Sequence, residues 1–569
     1  MPKFCTWNSK QGKWLLRKNP EISKTIGRMY PVNPTEGEKY YLRYLLLHVH
    51  GKNFDELKVV NGERYNTFAK ACLARGLTKN DDEWKYCLKE ACQFRFPAAL
   101  RSLFTSILLF GDPKYPELLW EQFKNNLSED FLKKNSESVA YKLSLTIINK
   151  KLLQESKSLA DFKNLPQETT TKEEQENINY EEERKIAEDL YKFMNNDQKK
   201  IYDIIKKVLT GEIKQKLIYI DGPGGTGKSF TLNTLYHLIR GYKKQITNMA
   251  FSGIAATLLK NGRTIHNRFK FPLNLNAYTV SGVVNGTKAS EEILRSDFFV
   301  IDEAPMAPRF ALDAIEKKLR ELTKSNQLFG GKTIILAGDF RQTLPVKKFA
   351  VKSEIIDLTI KRSIFWNKFE HMKLIINNRA KDESFSKQVL EIGNGFNQNG
   401  FIQLPNECIL SENSNLVHEI YGDIFLNNNF NELKNRIILS PYNDLTDYHN
   451  AVALEHFPGQ LVSYLSIDEV ETTNNFPVTT EIMNSFNAPG FPLHELKLKQ
   501  NCKVMLLRNI NIEEGLCNGT MLQVLELKEN VLRCVILGGD KNGSEVYIHR
   551  ISLITESEFP VPLKRHQFP

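Results

Sequence analysis

Apolar positions in the first 150 residues recur at helical spacing. Leu42, Leu45, Leu46 and Val49 form one stripe, and Leu100, Leu103, Ile107 and Leu108 form another. This is the period of an amphipathic helix, so a mainly helical N-terminal region is predicted. From 155 to 185 large apolar residues thin out among Glu, Lys, Thr, Asn and Gln. That composition predicts a solvated linker or charged helix at a domain boundary. Amphipathic patterning resumes at Asp197-Gln198-Lys199-Lys200-Ile201-Tyr202. Beyond it, apolar runs at 217–220, 246–251, 298–301 and 333–337 alternate with helical patterns. Buried strands alternating with helices predict an α/β domain with a parallel sheet covered on both faces. Dense alternation of β-branched residues over 497–554 predicts a further β unit.

Composition narrows the class of protein. The 569 residues are enough for several domains, and no apolar run is long enough to span a bilayer, so no membrane partner is expected. The N-terminus, 1–18, lacks the apolar core of a signal peptide. The eight cysteines are scattered with no paired CxxC, which predicts reduced thiols and no zinc site. The formal net charge of +10 suits a polyanion such as nucleic acid, or simply a soluble surface. His48-Val49-His50 imitates a metal-binding histidine pair. It ends a leucine-rich helical pattern without an acidic partner, and a histidine pair at a helix end is the reading preferred.

Three motifs carry chemistry, each just past the C-terminal end of a predicted strand, where open α/β sheets bind ligands. Gly222-Pro223-Gly224-Gly225-Thr226-Gly227-Lys228-Ser229 is a complete phosphate-binding loop between a strand and a helix. Its glycines let backbone N–H groups curl around phosphate oxygens, at a helix N-terminus that favours anions. Lys228 can reach the β- and γ-phosphates and Ser229 can hold Mg²⁺. Asp302 and Glu303 follow an apolar run. The first can bind Mg²⁺ and the second can orient and deprotonate an attacking water, which favours hydrolysis over transfer to another acceptor. Gly338-Asp339-Phe340-Arg341-Gln342 supplies a neutral amide, Gln342, able to sense a γ-phosphate; a plain turn is its alternative. A GTPase would need an Asn-Lys-x-Asp base reader, and the sequence contains none.

Taken together, Gln198, GPGGTGKS, FSGIAATLL, IDEAPM and GDFRQTLPV resemble the Pif1 family of superfamily 1B DNA helicases, in the variant found in Helitron transposon proteins. Asn377-Asn378-Arg379, Ser440-Pro441-Tyr442-Asn443 and Gly515-Leu516-Cys517-Asn518-Gly519-Thr520 agree, as does Thr25-Ile26-Gly27-Arg28 in the N-terminal region. The resemblance implies tandem RecA-like P-loop NTPase lobes with parallel sheets and a small SH3-like β insert. The expected divisions are an N-terminal helical region (1–150), a charged linker (151–186) and lobe one (187–370, with a wedge at 273–290). Lobe two begins at 371–496, the insert covers 497–555, and 556–569 starts a return to lobe two. Lys228, Glu303, Gln342 and Arg379 would be catalytic, Arg379 as an arginine finger. The whole loop, Gly222 to Ser229, would bind nucleotide together with Gln198, which would contact adenine. Ser229 and Asp302 would hold Mg²⁺. Ser252, Gly253, Thr264, His266 and Phe269 would touch single-stranded DNA, and packing roles suit all five equally well. The implied activity is 5′-to-3′ ATP-dependent unwinding in repair, recombination, telomere maintenance or transposition. The implied partners are ATP and single-stranded or forked DNA, for a monomer in the nucleus.

Two departures from the family pattern bear on that reading. Asn378 stands where the family has Met. After Lys564-Arg565-His566-Gln567-Phe568-Pro569 the family continues into Thr-x-x-Lys-x-Gln-Gly and Val-Ala-x-Ser-Arg stretches, and the sequence contains neither. The expectation is an incomplete second lobe with an unpaired edge and exposed apolar surface. Such a polypeptide would bind ATP-Mg²⁺ but unwind DNA poorly. The alternative reading is a non-catalytic ATP- and DNA-binding remnant.

Overall fold

The computed structural model describes residues 5–8, 13–16, 32, 37–49, 51, 53–75, 77, 82–94, 96–155, 157–162, 164–167, 179–347, 349–380, 382–395, 401, 402, 404, 406–411, 414–470, 480–487, 490–512, 514–539, 541–555 and 562–569. Thr25-Ile26-Gly27-Arg28 and His50 lie outside the described residues.

The expected parallel sheet forms. Its six strands run in the order Glu370–Lys373, Leu217–Asp221, Thr333–Gly338, Phe298–Asp302, Ile246–Ala250 and Arg263–Thr264, and every pair is parallel. Alternate residues of each strand face opposite sides. Ile218, Ile220, Val300 and Ile335 meet helices Asn196–Thr210 and Lys228–Gly241 through Ile201, Ile205, Leu232 and Leu235. Tyr219, Phe299, Ile301 and Leu336 meet helix Arg309–Thr323 through Leu312, Ile315 and Leu319. Helix Tyr180–Lys192 belongs to this unit too, with Arg184 Nη2 donating to the Gly241 carbonyl at 3.3 Å. The first lobe therefore starts several residues before the expected 187. This is the parallel α/β sheet covered on both faces that the alternating pattern predicted, in keeping with the RecA-like lobe that the resemblance implied.

The N-terminal region is helical as expected, with Glu38–His48, Asp82–Cys92, Pro97–Ser106, Pro116–Leu127 and Glu137–Gln154 as its longer helices. It is not a free-standing domain. Trp84, Leu88, Phe104 and Trp120 share one buried cluster with Val531 and Tyr547. Those two residues come from an antiparallel sheet of strands Lys503–Met505, Met521–Leu527, Val531–Leu537 and Glu545–His549, the β unit expected at 497–555. Glu90 accepts both the backbone N–H and the side-chain amide of Asn530, at 2.9 and 2.8 Å. Phe94 stacks on Tyr547 at 5.6 Å. His48 ends its helix edge-on to Tyr44, and among the described residues no group of three His, Cys, Asp or Glu could hold a metal ion.

Residues 371–496 supply helices Glu383–Asn394, Leu416–Asn427 and Asn443–His456, and an antiparallel pair, Val462–Leu465 with Glu495–Leu498. Parallel pairing among the described residues is confined to the first lobe. Phe385 and Leu426 on these helices, and Leu439 in the segment before Asn443–His456, are 57%, 79% and 83% exposed, so uncovered apolar side chains are present here. The unpaired edge expected near the final residues is not found at strand Leu563–Gln567. That strand sits between Ile467–Val470 and Ile551–Thr555 and is hydrogen-bonded on both sides. Arg565 anchors it, bound to Asp468 with both side chains fully buried.

Candidate nucleotide and DNA site

The phosphate loop leaves strand Leu217–Asp221 and enters helix Lys228–Gly241. Gly225 and Gly227 take φ values of +87° and +77°, the left-handed region that only glycine occupies without strain. The Gly222 N–H donates to the Gly338 carbonyl at 3.1 Å, tying the loop to the next strand. Thr226 closes the turn on itself, its hydroxyl donating to the Pro223 carbonyl at 2.8 Å.

Lys228 Nζ lies 2.9 Å from Glu303 Oε1 and 3.3 Å from Asp302 Oδ1. The Phe298–Asp302 strand and the loop helix thus bring together residues 74 and 75 positions apart by count along the chain. Burial opposes the Lys228 charge, but the two carboxylates outweigh it and hold its pKa above the ordinary amine value. Burial also pushes the Asp302 carboxyl up, against the pull of Lys228. One ammonium facing two carboxylates leaves an excess of negative charge, so both groups hold their protons more tightly. Glu303 is in the left-handed region at φ 51°, its N–H bonded to Asp302 Oδ1 at 2.8 Å. The pair is therefore built as one turn at the strand's end. Ser229 stands in the first turn of the loop helix, and its hydroxyl with the Asp302 carboxylate makes an all-oxygen donor pair that fits Mg²⁺.

Gln342 Nε2 donates to Asp339 Oδ2 at 3.0 Å, and a Cβ placed on Gly224 would lie 3.7 Å from it. Its amide therefore stands beside the loop, as a phosphate sensor must. Asp339, which the sequence reading passed over, also accepts from Arg341 Nη1 at 2.8 Å. Burial alone would raise the Asp339 carboxyl, but these hydrogen bonds hold it below the usual carboxylate range. Arg379 is exposed at the loop's edge, with the Asn377-Asn378 pair packed directly on the loop.

Gln198 requires a correction. Its carboxamide is buried, with Nε2 donating to the Thr226 carbonyl at 3.0 Å and Oε1 accepting from the Asn195 N–H at 3.0 Å. In this structure it supports the loop from behind and caps its own helix instead of lying open to a base. The signal was a capping box, Asn195 with Gln198 three residues on.

The five expected DNA contacts divide. Phe269 is fully buried and stacks on Phe271 at 5.5 Å, so it is a core residue with no face for a base. Thr264 is buried and caps helix Ile265–Phe269 by accepting from Asn267 N–H at 3.1 Å. Gly253 is buried; a Cβ there would lie 2.7 Å from Asn509 Oδ1, so its close approach is to protein. Ser252 caps the short helix Gly253–Thr257 and is partly exposed. His266 is also partly exposed, its Nδ1 3.0 Å from the Pro272 carbonyl, and burial lowers its pKa. Ser252 and His266 are the two of the five that remain open to a ligand.

Comparison with known proteins places this geometry. Residues 193–400 match the family described as PIF1-like helicase, and residues 481–527 match the DNA helicase Pif1 2B domain. The ATP-dependent DNA helicase Pif1 of Psychrobacter is 25% identical over 318 residues, 54% of this chain and 44% of the relative. The ATP-dependent DNA helicase PIF1 of Danio rerio is 24% identical over 338 residues, 56% of this chain and 46% of the relative. The chain thus spans less than half the length of these two curated relatives. A crystal structure of Bacteroides Pif1 bound to single-stranded DNA is 21% identical, covering 66% of this chain and 80% of that one, with a TM-score of 0.45. Through residues 193–400 and 481–527, the chain is similar to the Pif1-like helicases.

Proposed function

We propose that this chain is an ATP-dependent DNA helicase that couples Mg²⁺-ATP hydrolysis to movement along single-stranded DNA in the 5′-to-3′ direction. The observation that carries the reading is the convergence of Lys228, Asp302 and Glu303 behind the phosphate loop, with Gln342 and Arg379 at its rim. Lys228 bridges the two carboxylates and offsets part of their charge. Incoming β- and γ-phosphates would draw Lys228 away, leaving Asp302 and Ser229 to hold Mg²⁺ and Glu303 to take the proton of the attacking water. Bound Mg²⁺ would neutralise charge building up on the phosphate oxygens. Gln342 would report loss of the γ-phosphate through Asp339. Ser252 and His266 would meet the DNA strand, which in this reading is single-stranded or forked. The setting we propose is nuclear DNA repair, recombination, telomere maintenance or transposition, with the chain acting as a monomer.

The test is ATP turnover with and without single-stranded DNA, joined to strand displacement on duplexes with a 5′ or a 3′ overhang. The reading expects DNA-stimulated turnover, lost in Lys228→Ala, and displacement from the 5′ overhang only. Tight ATP and DNA binding without turnover would support the non-catalytic reading instead. Displacement from the 3′ overhang would overturn the polarity.

A further inference from the structure

Asn377 does two things at once. Its Oδ1 accepts the backbone N–H groups of Arg379 and Ala380, at 2.9 and 3.1 Å. That is an Asx turn, which fixes the backbone that carries the Arg379 side chain. Its Nδ2 donates to the Gly224 carbonyl of the phosphate loop at 3.3 Å. Beside it, the Asn378 backbone N–H donates to the Gly225 carbonyl at 2.8 Å. Two successive loop carbonyls are therefore bound to the two residues ahead of Arg379. The approach is close enough to demand glycine: a Cβ on Gly225 would lie 2.6 Å from Asn377 Oδ1 and 2.9 Å from Arg379 Cβ.

We propose that Asn377 is the positioning residue for Arg379. It holds the Arg379 backbone to the phosphate loop, so that finger and loop keep one mutual geometry. This rests on the reading of Arg379 as the group that meets the γ-phosphate. An arginine finger acts on charge that appears only in the transition state, so it must be in register at the moment of transfer. A backbone anchor on the loop supplies that register. The side chain then needs only to swing across the loop's rim, and domain closure need not deliver it from a distance. Asn378 adds to the tether through its backbone and through its Nδ2, which donates to the Thr226 carbonyl at 3.5 Å.

The experiment is a double-mutant cycle on single-stranded-DNA-stimulated ATP turnover, using Asn377→Ala, Arg379→Ala and both together. Asn377→Ala is expected to lower kcat about 10²-fold, the scale of a misplaced catalytic group. KM for ATP should change by less than about threefold, since loss confined to the transition state leaves substrate binding alone. The double variant should be no slower than Arg379→Ala. Asn377→Ser, which keeps a short acceptor for the turn, should fall between wild type and alanine, and its loss too should vanish in the Arg379→Ala background. That second cycle decides the matter if alanine perturbs folding. Losses that multiply, or a rise in KM matching the fall in kcat, would make Asn377 a loop support only and overturn the proposal. If Arg379→Ala itself left kcat unchanged, the reading of Arg379 would fail and the tether with it.

Discussion

Arg565→Met should open the sheet formed by Ile467–Val470, Ile551–Thr555 and Leu563–Gln567. Arg565 has five N–H donors, and the structure uses all five. Nε and Nη2 bond the two carboxylate oxygens of Asp468, each at 2.8 Å. Nη1 bonds the Phe486 and Pro492 carbonyls at 3.0 and 2.9 Å, and Nη2 the Met483 carbonyl at 2.8 Å. Removing the guanidinium leaves Asp468 buried beside three carbonyls that have lost a donor. Breaking one side of a buried pair costs about 3–5 kcal/mol. Taking about 4 kcal/mol, local opening becomes roughly 10³-fold more frequent. Native-state hydrogen exchange on peptides covering the three strands reads this directly, free of the rest of a multidomain chain. Asp468→Asn with Arg565→Met should recover most of the loss, because the unpaired charge is then gone. Burial alone would raise the Asp468 carboxyl, yet His494 and Arg565 hold it below its ordinary value of 3.8. Its stabilising share is therefore present above that pH and lost as pH falls through the lowered folded value, and the double variant should lack this acid sensitivity. Exchange in Arg565→Met less than tenfold faster than wild type, or a double variant no better than the single, would refute the account.

Four further outcomes follow from the site and its supports. Glu303→Gln should keep ATP binding while lowering turnover about 10²- to 10⁴-fold, the range for a lost general base, as measured by nucleotide titration and steady-state hydrolysis. Gly225→Ala should abolish ATP binding in the same titration, since its φ of +87° and the 2.6 Å approach of Asn377 both exclude a Cβ. Gln198→Ala should raise KM for ATP by releasing the Thr226 carbonyl, in proportion to one hydrogen bond, about tenfold or less. His549 is held down to about 4 by burial, between the Ser106 hydroxyl and the Arg550 carbonyl. The unfolded chain takes up a proton near the ordinary value of 6.5 and the folded chain only near 4, so stability should fall as pH is lowered across that window. The slope should be about 1.4 kcal/mol per pH unit, and His549→Gln should flatten it in urea titrations at pH 7 and pH 5.

The parts of the site legible in the sequence were those whose chemistry is contiguous. The phosphate loop, the Asp302-Glu303 pair and the alternation of strands with helices each occupy a short window, where residue type and spacing carry the signal. Gln198 is legible by position but not in its burial, because a buried amide and an open one have the same letter. Phe269 failed for a related reason. An aromatic at the end of a five-residue helix can face a strand of DNA or the core, and the choice is made by the sheet residue Phe299, which its own window does not describe. Asn377 carries no local signal of its own, since its partner Gly224 lies 153 residues earlier. The docking of the N-terminal helices on the 503–549 sheet left no local trace. Glu90 reads as one surface carboxylate among many until Asn530 stands opposite it.

That shared core bears on how the chain is made. Glu90 and Asn530 are 440 positions apart, and Trp84 and Phe104 complete their packing only against Val531 and Tyr547. At about 5–20 residues per second, a ribosome would take on the order of half a minute to a minute and a half to bridge that interval. The helices at 82–154, made before the first lobe, must therefore wait with a tryptophan-rich face uncovered while that lobe folds behind them. Assembly here is not vectorial, one domain after another, but closes a ring on its own beginning. The vulnerable species during synthesis is a chain that has passed the first lobe and still lacks the 503–549 sheet.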